Sequence, residues 1–212
     1  MNRFMWMGLS VLLGTLAVPS VAGAQASGIQ LRGVLTVGST TYSADQSFDA
    51  VLGKHRQTVW GVGAEETFWK GMFAGLHFSP NSEMEGQRVF VFDGQVYELG
   101  IPVRIRVRPL DITGGWRFAR GRFAPFAGGG VTFVFYDESS DFAEAGEDVS
   151  ERATGYVIQA GADVALTDWV QVGGELRYRG VNGVLGVGGV SEEFGEDQLG
   201  GYTVAVRIVV GR

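Results

Sequence analysis

Apolar and polar residues alternate with a period of two through most of this chain, most clearly from Gly155 to Tyr178. Tyr156, Ile158, Ala160, Ala162, Val164 and Leu166 share one face there, and Gln159, Gly161 and Asp163 share the other. After a tight turn at Thr167-Asp168, Val170, Val172, Gly174, Leu176 and Tyr178 lie opposite Gln171, Glu175 and Arg177. Strict alternation predicts strands with one apolar and one polar side. Each run is long enough to cross a bilayer at a tilt, which takes about 9–11 residues, and each apolar face carries an aromatic at its far end.

The same pattern predicts six further strands. Ile29 to Thr40 sets Ile29, Leu31, Gly33, Leu35 and Val37 against Gln30, Arg32 and Thr36. Thr58 to Phe68 sets Trp60, Val62, Ala64 and Phe68 against Glu65 and Thr67, and Met72 to Phe78 sets Met72, Ala74, Leu76 and Phe78 against His77. Phe123 to Tyr136 carries Ala127, Gly129, Val131, Phe133 and Phe135 on one face. Tyr202 to Val210 carries Tyr202, Val204, Val206, Ile208 and Val210 opposite Thr203 and Arg207. From Pro102 to Ala119 the phase changes part-way. Val103, Ile105 and Val107 alternate with Arg104, Arg106 and Arg108, but beyond Pro109 the apolar set is Leu110, Ile112, Gly114, Trp116 and Phe118, facing Asp111, Thr113 and Arg117. A proline at a one-residue phase change predicts a bulge.

Residues 82–99 read as a small hairpin turning at Asp93-Gly94. Its arms are too short to span a bilayer, so it projects from the strands on either side. The stretches 42–57, 80–101, 137–152 and 182–198 read as loops, while the connections near 70, 121 and 168 are short. Eight strands with short turns at one end and long loops at the other predict an all-β, antiparallel, up-and-down transmembrane barrel of eight strands.

Composition agrees with export. Residues 1–24 combine Arg3, an apolar run from Phe4 to Val18 and small residues at Ala22-Gly23-Ala24, with Ala24-Gln25-Ala26 as a second cleavage frame. This is the pattern of a cleaved signal peptide, and leaves 25–212 as the barrel domain. The chain has no cysteine, so a core or a closed sheet must hold it together without disulfides. Its 34 glycines sit largely inside alternating runs, where a narrow barrel uses them to relieve crowding. The net charge of −6 argues against a nucleic-acid partner.

In these respects the chain resembles the small eight-stranded outer-membrane barrels, the OmpA/OmpX-like family. The resemblance rests on the leader, the strands and the aromatics near strand ends: Trp60, Phe68, Trp116, Phe118, Phe123, Tyr156, Trp169, Tyr178 and Tyr202. It covers everything after the leader and is one of architecture, without a diagnostic motif. The last strand in that family commonly ends in an aromatic read by the barrel-assembly machinery, and here the sequence is Val210-Gly211-Arg212. The resemblance implies a Gram-negative outer-membrane location, with outer-membrane lipid and the assembly machinery as partners. It also implies a lumen packed with side chains.

The strand phases point to the same packing. They turn Arg32, Glu65, Arg104, Arg106, Arg108, Asp111, Arg117, Asp163, Glu175, Arg177, Arg179 and Arg207 inward. A barrel of eight strands is only wide enough for side chains to fill. Buried charges are tolerated when paired and hydrogen-bonded, so this set predicts an ion-paired plug with no open pore, with wet ends of the lumen as the alternative account of its excess of basic groups.

Other chemistry is poorly represented. His55 and His77 lack the clustered ligands a metal needs. His77 and Ser79 share a face, which is the sparse requirement for a lipid-modifying hydrolase, though a polar pair at the barrel end, in water, is the simpler reading. The stretch 137–151 carries seven acidic residues in fifteen. It lacks EF-hand spacing, and reads as solvated surface in preference to a calcium site. An anion on the Arg104-Arg106-Arg108 row is a weaker reading than lumenal pairing. Gly128-Gly129-Gly130 is not followed by a helix, so it is no phosphate loop. The expectation is a structural or surface-interaction protein with acidic external loops, no cofactor and no catalytic residues. A narrow channel, a lipid-modifying enzyme and a soluble secreted barrel or sandwich are the alternatives.

Overall fold

The structure, a computed structural model, describes residues 30–80, 83–140, 149–185 and 189–211. The predicted leader lies outside them. The strands are β1 (Gln30–Tyr42), β2 (Arg56–Thr67), β3 (Met72–Phe78), β4 (Glu83–Phe92), β5 (Gln95–Arg117), β6 (Phe123–Ser139), β7 (Val149–Ala165), β8 (Val170–Gly180) and β9 (Gly201–Gly211). Two helices, α1 (Asp45–Leu52) and α2 (Gly189–Glu193), lie in the long connections.

The sheet runs in the order β3-β2-β1-β9-β8-β7-β6-β5-β4 and closes through a β3–β5 pairing. β3 and β4 lie end to end along the same edge of β5, with Phe78 opposite Leu110 and Glu83 opposite Arg106. They are one stave, interrupted after Phe78, so the barrel has eight staves. Closure along β1–β9, from Arg32↔Gly211 to Tyr42↔Gly201, leaves no free edge in the barrel wall and satisfies the backbone within lipid. The 82–99 hairpin is a projection, as its short arms require: β4 and the first part of β5 extend beyond the closed wall and turn at Asp93-Gly94.

The outward positions form an apolar band. Val37 and Trp60 are Cα partners on neighbouring strands, as are Leu110 and Phe133, and Tyr178 and Tyr202. Leu31, Leu35, Ile112, Ile158, Val204 and Val206 continue the band, all exposed. In water such a surface would be unstable, whereas facing lipid it is matched to its solvent. The interior at the same level is polar, with Arg32, Glu65, Asp111, Asp163 and Arg207 buried.

The bulge expected at Pro109 does not form. β5 pairs with β6 in unbroken register from Arg104↔Ser139 to Arg117↔Phe126. Val103, Ile105, Val107, Pro109, Asp111, Thr113 and Arg117 are all buried, so one set of odd-numbered residues faces the interior throughout. What changes at Pro109 is the surroundings. Below it the outside is lipid and the inside polar, while above it the outside is water and the inside apolar. The register shift lies elsewhere, between Gln87 and Val89 in the projecting hairpin. Pro109 is accommodated because its carbonyl accepts from Ser79 N–H (3.1 Å) where β3 gives way, so its missing N–H faces a break in the ladder.

Above the lipid level the interior is a conventional hydrophobic core of Tyr42, Phe48, Leu52, Met84, Val103, Ile105, Val107, Val134, Tyr136, Val181 and Leu199. Helix α1 supplies part of it, correcting the expectation of a plain loop over 42–57. Phe48 and Leu52 point into the barrel mouth, and Phe48 stacks on Tyr42 at 4.5 Å between centroids. Strands β6 and β7 also run further than expected, taking Asp137–Ser139 and Val149–Glu151 out of the acidic loop, and the 182–198 loop contains α2. Residues 141–148 lie outside the described residues.

Candidate functional site: the filled lumen

Nine of the twelve charged residues assigned inward lie inside the barrel: Arg32, Glu65, Asp111, Arg117, Asp163, Glu175, Arg177, Arg179 and Arg207, all buried. Their positions follow from strand parity on β1, β2, β5, β7, β8 and β9. They make one continuous network. Glu65 Oε1 accepts from Arg32 Nη2 (2.9 Å) and Arg117 Nη2 (2.5 Å), and its Oε2 from Arg207 Nη2 (3.0 Å). Arg117 Nη1 also donates to Asp163 Oδ2 (2.5 Å), and Arg207 Nε lies 3.2 Å from Asp163 Oδ1. Arg207 Nη1 donates to Glu175 Oε2 (3.3 Å), and Glu175 in turn pairs with Arg177 (2.9 Å). Arg177 Nη1 and Arg179 Nη2 both donate to Asp111 Oδ2 (2.7 and 2.8 Å), and Arg179 Nε donates to Asp111 Oδ1 (3.0 Å).

Arg104, Arg106 and Arg108 do not belong to this network. Because β5 keeps its phase, they point outward above the lipid level. Arg106 Nε donates to Glu83 Oε2 (2.7 Å) and Arg108 bonds Asp137. The correction changes the balance of the interior, from eight basic residues against four acidic to five arginines against four carboxylates. It also removes the anion-site reading, since carboxylates already occupy Arg106 and Arg108.

Neutral groups accommodate the remaining arginine. Arg207 and Arg117 lie over the ring of Phe126, at 4.4 and 4.9 Å to its centroid, and Phe73 packs edge-on against that ring at 6.2 Å. Arg32 bonds Thr67, and Arg179 Nη1 donates to Thr203 Oγ1 (3.2 Å). The sequence reading did not single out Phe73 and Phe126. Their parity was the available signal: each shares the inward phase of its strand with His77 or Thr132.

His77 and Ser79 are both buried, but His77 is committed to the network. Its Nδ1 lies 2.7 Å from Arg177 Nη1 and its Nε2 2.9 Å from Thr36 Oγ1. Arg177 can only donate, so Nδ1 is the acceptor and Nε2 carries the proton given to Thr36. Such an imidazole has no free nitrogen with which to activate Ser79. Among the described residues no group of three or more His, Cys, Asp or Glu is placed to hold a metal ion. The triple glycine serves packing: a Cβ on Gly130 would stand 1.9 Å from Ile112 O and one on Gly128 2.4 Å from Gly114 O, so only glycine lets β5 and β6 coil this closely.

The chain is similar in fold to several solved outer-membrane barrels. Neisserial surface protein A matches with 10% identity and a TM-score of 0.49, over 87% of this chain and 97% of its own. The N-terminal β-barrel domain of Pseudomonas aeruginosa OprF matches with 9% identity and a TM-score of 0.47, over 87% and 100%. Ail, the attachment invasion locus protein of Yersinia pestis, matches with 11% identity and a TM-score of 0.47, over 87% and 99%. No curated protein matches the chain. The model of the outer membrane protein beta-barrel domain matches residues 8–207, nearly the whole sequence. With the lipid-facing band and the closed eight-stave wall, that match places the protein in the outer membrane, as a member of the outer membrane protein beta-barrel domain family.

Proposed function

We propose that this protein is a sealed barrel that acts through its extracellular surface, without conducting solutes and without catalysis. One observation carries the reading: nine charged side chains interlock across the lumen, and an apolar core with helix α1 closes the mouth above them. Along the network and just above it two cavities measure about 30 and 20 Å³, enough for single waters, while a larger one of about 160 Å³, lined by Arg32, Thr67, Arg117 and Arg122, lies at the short-turn end of the barrel. A solute would have to part several buried ion pairs to pass, and each separation leaves an uncompensated charge in a low-dielectric interior. The wall meets outer-membrane lipid, and the assembly machinery that inserts such barrels is the expected partner during biogenesis. The engagement of both His77 nitrogens supports a role without chemistry.

Reconstitution in planar bilayers tests the seal. The intact protein should give no stable unitary conductance, and Arg207→Gly, which removes the residue joining three carboxylates, should give measurable leak. Large stable channels from the intact protein would overturn the reading.

A further inference from the structure

Beside the plug, the extracellular head holds a cleft of about 550 Å³ that the lumenal network does not use. Sites for small organic molecules commonly measure ~300–1,000 Å³. Most of its lining is apolar, including Phe48 and Val51 of α1, Leu99, Val103 and Ile105 of β5, and Leu185. One wall differs. Tyr136, Glu138 and Glu151 line it together, because Tyr136 and Glu151 are Cα partners across β6 and β7 and Glu138 follows two residues later on the same face.

Glu138 Oε2 accepts from Tyr136 Oη (3.0 Å). Burial, and then the neighbouring Glu138, raise the pKa of the Tyr136 phenol far above its ordinary value, so it donates and adds no charge. Neither Glu138 nor Glu151 has a cationic partner among the described residues. Arg88 also lines the cleft, but it has a partner of its own. Two adjacent unpaired carboxylates at the edge of an apolar surface attract a positive centre and reject a negative one. The surrounding sequence has the same sign, with seven acidic residues in 137–151.

We propose that this cleft binds a small organic cation with an apolar body, such as an aromatic or aliphatic amine. The apolar part lies against Phe48, Val51 and Leu99, and the positive centre lies at Glu138 and Glu151. The site stands whether or not the lumen conducts.

The full barrel in zwitterionic lipid nanodiscs provides the test, with berberine as an aromatic cation and 8-anilinonaphthalene-1-sulfonate as an aromatic anion. Fluorescence titration should show saturable binding of one berberine per barrel above the level of empty nanodiscs, and no matching binding of the sulfonate. The double variant Glu138→Gln/Glu151→Gln should weaken berberine by about tenfold or more. Val51→Arg, which fills the apolar wall with a fixed cation, should abolish binding. Both variants should keep the heat-dependent gel shift of a folded barrel. Berberine binding no greater than to empty nanodiscs overturns the proposal. So does equal binding of the sulfonate, or berberine binding unchanged in both folded variants.

Discussion

Arg207 touches three carboxylates, Glu65, Asp163 and Glu175, and rests on the ring of Phe126, with 2% of its surface exposed. Replacing it with methionine keeps much of the volume but leaves three buried anions short of a partner, a change that costs about 3–5 kcal/mol. Its outward neighbour Val206 meets lipid, so Val206→Ala should cost far less. The same contrast should hold between Glu175→Ala or Arg177→Ala and Val172→Ala. Urea unfolding from lipid vesicles measures all of these, and equal losses on the two faces would refute the assignment of inside and outside. Asp137 shows how a charge behaves above the membrane. Its slight burial opposes ionisation, but hydrogen bonds from Arg108 and Ser150 outweigh this and hold the carboxyl below the ordinary aspartate range. A folded value below the unfolded one contributes stability above the unfolded value and loses it as pH falls through the folded one. The upper ends of β6 and β7 should therefore loosen only in acid. NMR titration of the Asp137 carboxyl carbon should give a depressed midpoint that Arg108→Gln restores. An ordinary midpoint in the intact protein would exclude the tie.

Helix α1 has 8 residues, too few to persist without tertiary support. Besides its apolar contacts, Glu196 from the last long connection anchors its first turn, accepting from Gln46 N (3.1 Å), Ser47 N (2.8 Å) and Ser47 Oγ (2.6 Å). A carboxylate there satisfies unpaired N–H groups and complements the helix dipole. Glu196→Ala should destabilise the helix locally by about 0.5–2 kcal/mol. Hydrogen exchange should then quicken in Phe48 to Leu52 and leave β1 and β9 unchanged, and equal protection of α1 in both proteins would count against the anchor. The staves were legible in the sequence because an alternating strand states its own parity, which is how Asp163, Glu175 and Arg207 could be turned inward. The helix was not, since Phe48, Val51 and Leu52 at i, i+3 and i+4 are a faint stripe among polar neighbours. β5 misled for a different reason. Its hydrophobic phase inverts while its backbone does not, so Arg104, Arg106 and Arg108 have the polarity of lumenal residues but stand in water.

At the scale of the whole molecule, one set of staves carries two interiors of opposite character, an ion-paired stem within lipid and an apolar head within water. At this end the sequence predicted strand ends, loops and a projecting hairpin but no core, because the core is assembled from residues far apart in the chain: Tyr42, Phe48, Met84, Val103, Val134, Val181 and Leu199. Each contributes one side chain to a cluster that no local pattern announces. The two interiors differ in how they respond to temperature. Apolar burial from water weakens on cooling, and only the head depends on it, since the outward apolar surface of the stem stays in lipid. Cold should therefore loosen the head that stands in water, while the ion-paired stem within lipid keeps its contacts.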